Sequence, residues 1–299
     1  MPKIRPQNHR SIKTRLSNQA RAAGIDPADM QNRFFRELFL AQIFQEDQGP
    51  WVLKGGTNLY CRIPGARHTR DLDLFCQDPT GAREAAQELK DRMDHVRVGP
   101  YQFTIGDPKP GGDNIDVYSL KVTVLTGVQK AAEFSVDVSG DLQVPDVPRN
   151  VIFHRDDDIE IDGVPRSFPI RSYPVSNQIA DKTCAMYEVH GTRPSTRYRD
   201  LYDLALIVAH LSFSASETVL ALDQQREIRR LNLPSALNLP DPEWVKNYPR
   251  VMKNTPGTRT ELHPVNAALD TARVALDPLL RGDLSEGTWS PHQQTWINN

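Results

Sequence analysis

The chain has 299 residues, and its 36 Lys and Arg nearly balance its 38 Asp and Glu. A composition 38% hydrophobic and 25% charged is that of a globular protein and excludes a disordered or fibrous one. The length exceeds what one core commonly fills, so two domains are expected. The longest clear apolar run, Leu204 to Ala209, is far too short to span a membrane.

In chain order, residues 10–46 read as two helices. Asp26 followed by Pro27 is a cap and first-turn proline, and Met30, Phe34, Phe35, Leu38 and Phe39 recur at helical spacing. After Gly49-Pro50 the character changes. Trp51-Val52-Leu53 is a short apolar strand ending at Lys54-Gly55-Gly56, and Thr57 to Arg62 fits a short helix. Leu72, Leu74 and Phe75 make a strand with Asp71 and Asp73 interleaved, and residues 81–93 look helical. Residues 101–107, 118–126 and 131–139 are strand-like. Residues 140–175 are rich in Pro, Asp and Arg, which places a domain boundary near 150; Asp156-Asp157-Asp158 reads as a solvated turn. From Ser176 the pattern is helical, with proline-rich breaks near 234–242 and 249–264.

Cys61, Cys76 and Cys184 are too few and too scattered for a disulfide framework and point to a reducing cytoplasm. The basic N-terminus lacks the apolar stretch of a secretory signal, and no Cys/His cluster has zinc spacing.

The informative segment is residues 51–75. A Gly-Gly turn lets backbone N–H groups approach a phosphate, and the helix that follows adds its N-terminal amides. Lys54 can add a charge and Thr57 a hydroxyl. Asp71 and Asp73, two apart on a strand, face the same side. Two carboxylates on one face repel unless a cation lies between them, and oxygen-only ligands favour Mg²⁺ or Mn²⁺. A phosphate cradle beside a carboxylate pair describes a nucleoside-triphosphate (NTP) site, although the P-loop spacing is absent. Asp137, on the apolar strand Phe134 to Ser139, adds a third carboxylate if its strand neighbours the Asp71–Asp73 strand.

A second constellation lies downstream. On a helical wheel over residues 176–190, Lys182 falls between Ile179 and Met186, within the apolar face. The helix RDLYDLALIVAHL is apolar almost all round, so Asp200 and Asp203 need partners, with Lys182, Arg197 or Arg199 at hand. One reading is a structural salt bridge tying two helices. The other is a cleft lysine, whose removal would leave stability near native.

Near-zero net charge excludes a chain that is basic all over, but charge can be local. Residues 1–25 carry Lys3, Arg5, Arg10, Lys13, Arg15 and Arg21 and no acid. Arg193, Arg197 and Arg199 form a second stretch, and Arg226, Arg229 and Arg230 a third. Each fits phosphates as well as a solvated helix face.

KGGTNL, RDLDLF, VDVS, then DK followed by RYRDLYDL resemble, in that order, the AbiEii/MenT nucleotidyltransferase toxins of bacterial toxin–antitoxin and abortive-infection systems. Lys54 to Asp203 carries the resemblance. The family often has Ser at the place of Thr57 and Lys at that of Arg199. The resemblance implies an α+β, two-lobed fold: a nucleotidyltransferase core over residues 1–150, with a mixed sheet flanked by helices, and a mostly helical lobe over 151–299 closing the cleft. It implies transfer of nucleotides from an NTP to an RNA acceptor, in the MenT branch the 3′ end of tRNA, and a cognate antitoxin. Asp71, Asp73 and Asp137 would hold two Mg²⁺ ions. Lys54, Gly55, Gly56, Thr57, Arg70 and Lys182 would bind the triphosphate, and Asp203 would orient Lys182 or the base. The rivals are a small-molecule nucleotidyltransferase with the same core and a non-catalytic nucleotide- or antitoxin-binding scaffold. A kinase fits less well, because no hinge, catalytic-loop or D-F-G pattern is visible.

Overall fold

The structure, a computed structural model, describes residues 8–45, 49–77, 81–111, 114–140, 147–189, 191 and 193–298. Lys3 and Arg5 of the basic N-terminal stretch lie outside the described residues. The chain divides into two compact units. One comprises Met1–Thr57, Thr69–Leu142 and Asn150–Ser172, the other Asn58–His68, Gln143–Arg149 and Tyr173–Asn299.

The first unit opens with helices α1 (His9–Ala22) and α2 (Pro27–Ile43). Asp26 caps α2 as expected: its carboxylate accepts from the amides of Ala28 and Asp29 at 2.8 and 3.2 Å, with Pro27 in the first turn. Then follow β1 (Trp51–Lys54), α3 (Gly55–Arg62), β2 (Leu72–Cys76), α4 (Ala82–Met93), β3 (Arg97–Val98), β4 (Tyr101–Ile105), β5 (Lys109–Gly111), β6 (Asn114–Thr126), β7 (Gln129–Ser139), β8 (Arg149–His154) and β9 (Ser167–Ser172).

These strands form one mixed sheet in the order β3-β4-β6-β7-β2-β1-β9-β8, with β5 on β6. The centre mixes directions: β7 runs parallel to β2, β1 antiparallel to β2, and β9 parallel to β1. The Pro-, Asp- and Arg-rich stretch is therefore not a linker. Its strands β8 and β9 complete the sheet, so residues 150–172 belong with the first unit, and the chain crosses between the units at Arg149/Asn150 and again at Ser172/Tyr173.

Helix α2 covers one face of this sheet. Phe39 meets Phe103 and Phe134 edge-on at 5.2 and 5.5 Å between ring centres, and Phe35 meets Tyr101 at 4.8 Å. Along β7 the side chains alternate, so Phe134, Val136 and Val138 face this core while Asp137 points to the other side. The same helix buries Arg33, Arg36 and Glu37. Glu37 has lost its water and lies 3.6 Å from the Arg33 guanidinium, too far for a good hydrogen bond. Burial pushes its carboxyl up to about 8, despite Arg33 nearby. A carboxyl held high binds its proton more tightly folded than unfolded, so stability falls as pH rises through that window. The melting temperature should decline between about pH 5 and 8. Glu37→Gln should flatten that slope in a thermal melt series.

The second unit carries α5 (Val175–Tyr187), α6 (Tyr198–His210), α7 (Ala215–Arg229), α8 (Trp244–Lys253) and α9 (Val265–Arg281), then a hairpin of β10 (Thr288–Ser290) and β11 (Thr295–Ile297). Leu201, Leu204, Ile207 and Val208 of α6 are fully buried in a core shared with Trp244, Tyr248, Leu276 and Trp289. The expected break at 249 is absent: α8 runs through Pro249. Its fixed φ suits a helix, and the amphipathic pattern that buries Trp244, Tyr248 and Met252 outweighs one missing donor.

Candidate functional site

The register of the sheet assembles the site. Lys54 pairs with Asp73 across β1 and β2, Asp73 with Asp137 across β2 and β7, and Asp137 with Ser119 across β7 and β6. Residues directly opposite one another share a face, so four strands present one polar row, Lys54–Asp73–Asp137–Ser119. The condition set for Asp137 is met: its strand neighbours that of Asp73. Ser119 was not foreseen; its hydroxyl donates to an Asp137 oxygen. Nothing in the local sequence around Ser119 marks it, because only the long-range pairing of β6 and β7 brings it there.

Asp71 stands in the bend just before β2 and not on the strand. Its side chain reaches solvent but is crowded enough to lose part of its hydration. That loss, and then the Asp137 carboxylate, hold its carboxyl above the usual range against Arg36 and Arg70. Arg36, buried on α2, also donates to the backbone oxygen of Arg70 at 3.4 Å. The sequence signal for Arg36 was there to be read: a charged pair, Arg36-Glu37, set inside the apolar run Phe34 to Leu40.

Gly55 and Gly56 are the first two residues of α3 and not a turn ahead of it. Gly55 has φ of +62°, the left-handed region. A Cβ there would come within 1.9 Å of an Asp73 carboxylate oxygen. The aspartate thus rests against the bare Cα, and any other residue both strains the backbone and displaces the carboxylate. Gly55→Ala should cost ~1–2 kcal/mol from the left-handed backbone and reduce transfer by ~100-fold through misplacement of Asp73. Thermal melting and turnover measured on the same sample check both parts.

Thr57 is buried. Its hydroxyl lies 2.7 Å from that of Thr69 and donates to the backbone oxygen of Asp71 at 3.2 Å, so it ties the start of α3 to the carboxylate bend. Arg70 is exposed beside Asp71. Among the described residues, no group of three or more His, Cys, Asp or Glu side chains is arranged to hold a metal ion. Beside Lys54, the register aligns two carboxylates and a hydroxyl, oxygen donors of the kind that Mg²⁺ or Mn²⁺ accepts.

In the second unit Lys182 is buried, with its ammonium 2.9 Å from Asp200 and 2.6 Å from Asp203. The expectation of a shared Lys–Asp cluster holds, but Asp203 has a further partner. Arg67 donates from Nε and Nη2 to its two oxygens at 2.7 and 2.6 Å. Arg67 was missed because it lies 136 positions from Asp203. Burial alone would raise the Asp203 carboxyl; Arg67 first, then Lys182, outweigh it and hold the group below the usual range. Burial likewise works against the charged Lys182, yet Asp200 and Asp203 keep its pKa above that of an ordinary lysine. Of the other cations considered, Arg197 lies 3.9 Å from Asp200, and Arg199 Nε lies 3.5 Å from the Thr255 hydroxyl.

Comparison with known proteins follows the same lines. The structure is similar to that of MenT4, a nucleotidyltransferase toxin of Mycobacterium tuberculosis H37Rv, at 18% identity over 91% of this chain and 90% of that one, with a TM-score of 0.59. A second similar structure is JHP933 from Helicobacter pylori, at 19% identity over 85% of this chain and 93% of that one, with a TM-score of 0.46. No curated protein matches the sequence. The family model for the nucleotidyl transferase AbiEii toxin of type IV toxin–antitoxin systems matches residues 38–272, from α2 into α9 and through both clusters except Arg36. On that match the chain belongs to the AbiEii family of nucleotidyltransferase toxins.

Proposed function

We propose that the protein transfers a nucleotide from an NTP to the 3′ end of an RNA, with tRNA as the acceptor class, and thereby blocks aminoacylation in the cytoplasm until its antitoxin intervenes. The observation that carries this reading is the registered pair Asp73 and Asp137 with Asp71 at its edge. Three carboxylates gathered beside a glycine-initiated helix are costly for a folded chain and useful to a cation-dependent phosphate reaction.

Asp73 and Asp137, with Asp71, would hold the divalent cation, Mg²⁺ or Mn²⁺. When bound, such a cation neutralises the carboxylates and draws charge from the phosphate under attack. Gly55 and Gly56 offer backbone N–H groups to the triphosphate, with Lys54 and Arg70 supplying charge. Thr57 acts through the backbone, by fixing the bend that carries Asp71. The acceptor hydroxyl gives its proton to solvent as its oxygen bonds the α-phosphorus, the bond from that phosphorus to the oxygen bridging the β-phosphate breaks, and pyrophosphate leaves with that oxygen.

The basic stretches bear on the acceptor. Arg226 and Arg229 are engaged by Asp223 and Glu188, and Arg15 by Asp158, which reduces what they can offer a phosphate. Arg193, Arg197 and Arg199 are exposed, although Arg197 lies 3.9 Å from Asp200 and Arg199 meets Thr255; a basic stretch of this kind suits a polyanionic acceptor better than a small molecule. Incubation with each labelled NTP and total tRNA, read on a denaturing gel, tests the reading: labelled tRNA supports it, and label found only on small molecules overturns it. With RNA as acceptor, KM for the acceptor should rise ~10-fold or more between low and moderate salt. Charge reversal at Arg193 and Arg197 should flatten that dependence.

A further inference from the structure

We propose that Arg67 is a positioning residue for the transfer reaction: anchored on Asp203, it fixes along the chain the carboxylate bend at Asp71. The inference rests on the functional reading above, and it begins from an oddity of the chain's path. Residues 58–68 group with the helical unit, while the residues on either side, Gly55 to Thr57 and Thr69 to Asp73, group with the sheet and carry its polar site. The excursion closes at its base, where the Thr57 and Thr69 hydroxyls meet at 2.7 Å.

Within the helical unit the excursion is pinned at several points. The Asn58 side-chain amide donates to the Tyr173 backbone oxygen and to Gln178, each at 3.1 Å. Arg259 donates to the backbone oxygen of Pro64 at 3.1 Å, and the His68 amide to that of Pro256 at 3.1 Å. The Arg67–Asp203 contact differs in kind. It is bidentate, charge-assisted and nearly buried, with side-chain exposures of 11% and 1%. A planar guanidinium fork fixes both the distance and the orientation of its carboxylate, which an ammonium group cannot do.

That carboxylate is shared. Arg67 Nη2 and Lys182 Nζ each lie 2.6 Å from the same oxygen, Asp203 Oδ2. Lys182 is therefore held between Asp200 and an oxygen that Arg67 has already placed. The four groups, Arg67, Lys182, Asp200 and Asp203, balance in charge. Remove Arg67 and Lys182 faces two carboxylates, one of them with Oδ1 stripped of its donor, so the ammonium is drawn to a new position. The same loss frees the segment that enters Asp71, four residues further on. Arg67 thus acts through the bend and touches no reacting atom.

The test uses the full chain with Arg67→Lys and Arg67→Ala. Because Arg67 acts by placement, kcat should fall ~100-fold while the KM for NTP stays within ~3-fold. Arg67→Lys should rescue melting temperature more than it rescues kcat, since it restores charge without the fork. Amide hydrogen exchange should accelerate in peptides spanning residues 69–76 in both variants. A folded Arg67→Lys protein with wild-type kcat overturns the inference. Should the wild-type protein itself transfer nothing to any acceptor, the functional reading fails; exchange at 69–76 still decides the positional claim, and unchanged exchange in both variants overturns it.

Discussion

Asp73→Asn is expected to abolish nucleotide transfer and, without divalent cation, to leave the protein slightly more stable than wild type. The reason lies in the sheet. Asp73 and Asp137 stand directly opposite each other on adjacent parallel strands, and like charges so placed destabilise a sheet by roughly 0.2–1 kcal/mol. Asparagine keeps the shape of the side chain against the Gly55 Cα and removes the repulsion. Activity should nevertheless disappear, because the amide cannot supply the anionic oxygen that a hard cation requires. The same logic makes Asp71→Ala inactive yet folded. Thermal melting in chelator, paired with a transfer assay, reads both effects. A variant that melts much lower, or one that still labels the acceptor at wild-type rate, would return Asp73 to an ordinary structural role.

Lys182→Ala should behave in the opposite way and cost roughly 3–5 kcal/mol of stability, because it removes the close cation of Asp200 and leaves Asp203 to Arg67 alone in a buried site. The sequence alone allowed a cleft lysine whose loss would barely affect folding. The structure gives Lys182 a side-chain exposure of 8% and two partners, one of them only 1% exposed, which moves it to the destabilising class. Asp203→Ala should be at least as severe, since it leaves both Arg67 and Lys182 without their shared acceptor. Asp200→Ala should be milder, its side chain being 12% exposed. Asp203 is held below the ordinary carboxylate range, so its contribution is complete above about pH 4 and is lost as pH falls through its folded value. Lys182 is held above the ordinary lysine value, so its contribution persists through neutrality and is lost only as pH rises past that value. Acid melts of wild type and Asp203→Asn check the sign: the wild type should lose its advantage on acidification, and a variant deficit that stays constant down to acid pH would contradict the account.

Much of this architecture was legible in the chain because local chemistry dictated it. Asp26-Pro27 announced α2, and alternation announced β4, β6 and β7. Asp71, Asp73 and Asp137 stood out as carboxylates among apolar strand residues. Other features depended on pairings that no local pattern encodes. The parallel contact of β2 with β7 turned three separate aspartates into neighbours, and the contact of β6 with β7 added Ser119. Arg67 lay in an undistinguished loop until Asp203 was placed against it. The hairpin of β10 and β11 escaped notice because its strands have three residues each, too few to show alternation, and are held by Trp289 against Phe213 and Trp296. That residues 150–172 return to the sheet was not legible, because proline and acidic residues mark the loops around β8 and β9 as readily as they mark a linker.

The most direct test of the central claim is calorimetric titration of the chain with Mn²⁺ in the presence of a non-hydrolysable NTP analogue, for wild type and for Asp73→Asn. If the polar row Lys54–Asp73–Asp137–Ser119 is the nucleotide and cation site, the wild type should bind the analogue only when Mn²⁺ is present, and Asp73→Asn should lose that dependence along with most of the affinity. Equal, Mn²⁺-independent binding by both proteins would contradict the account.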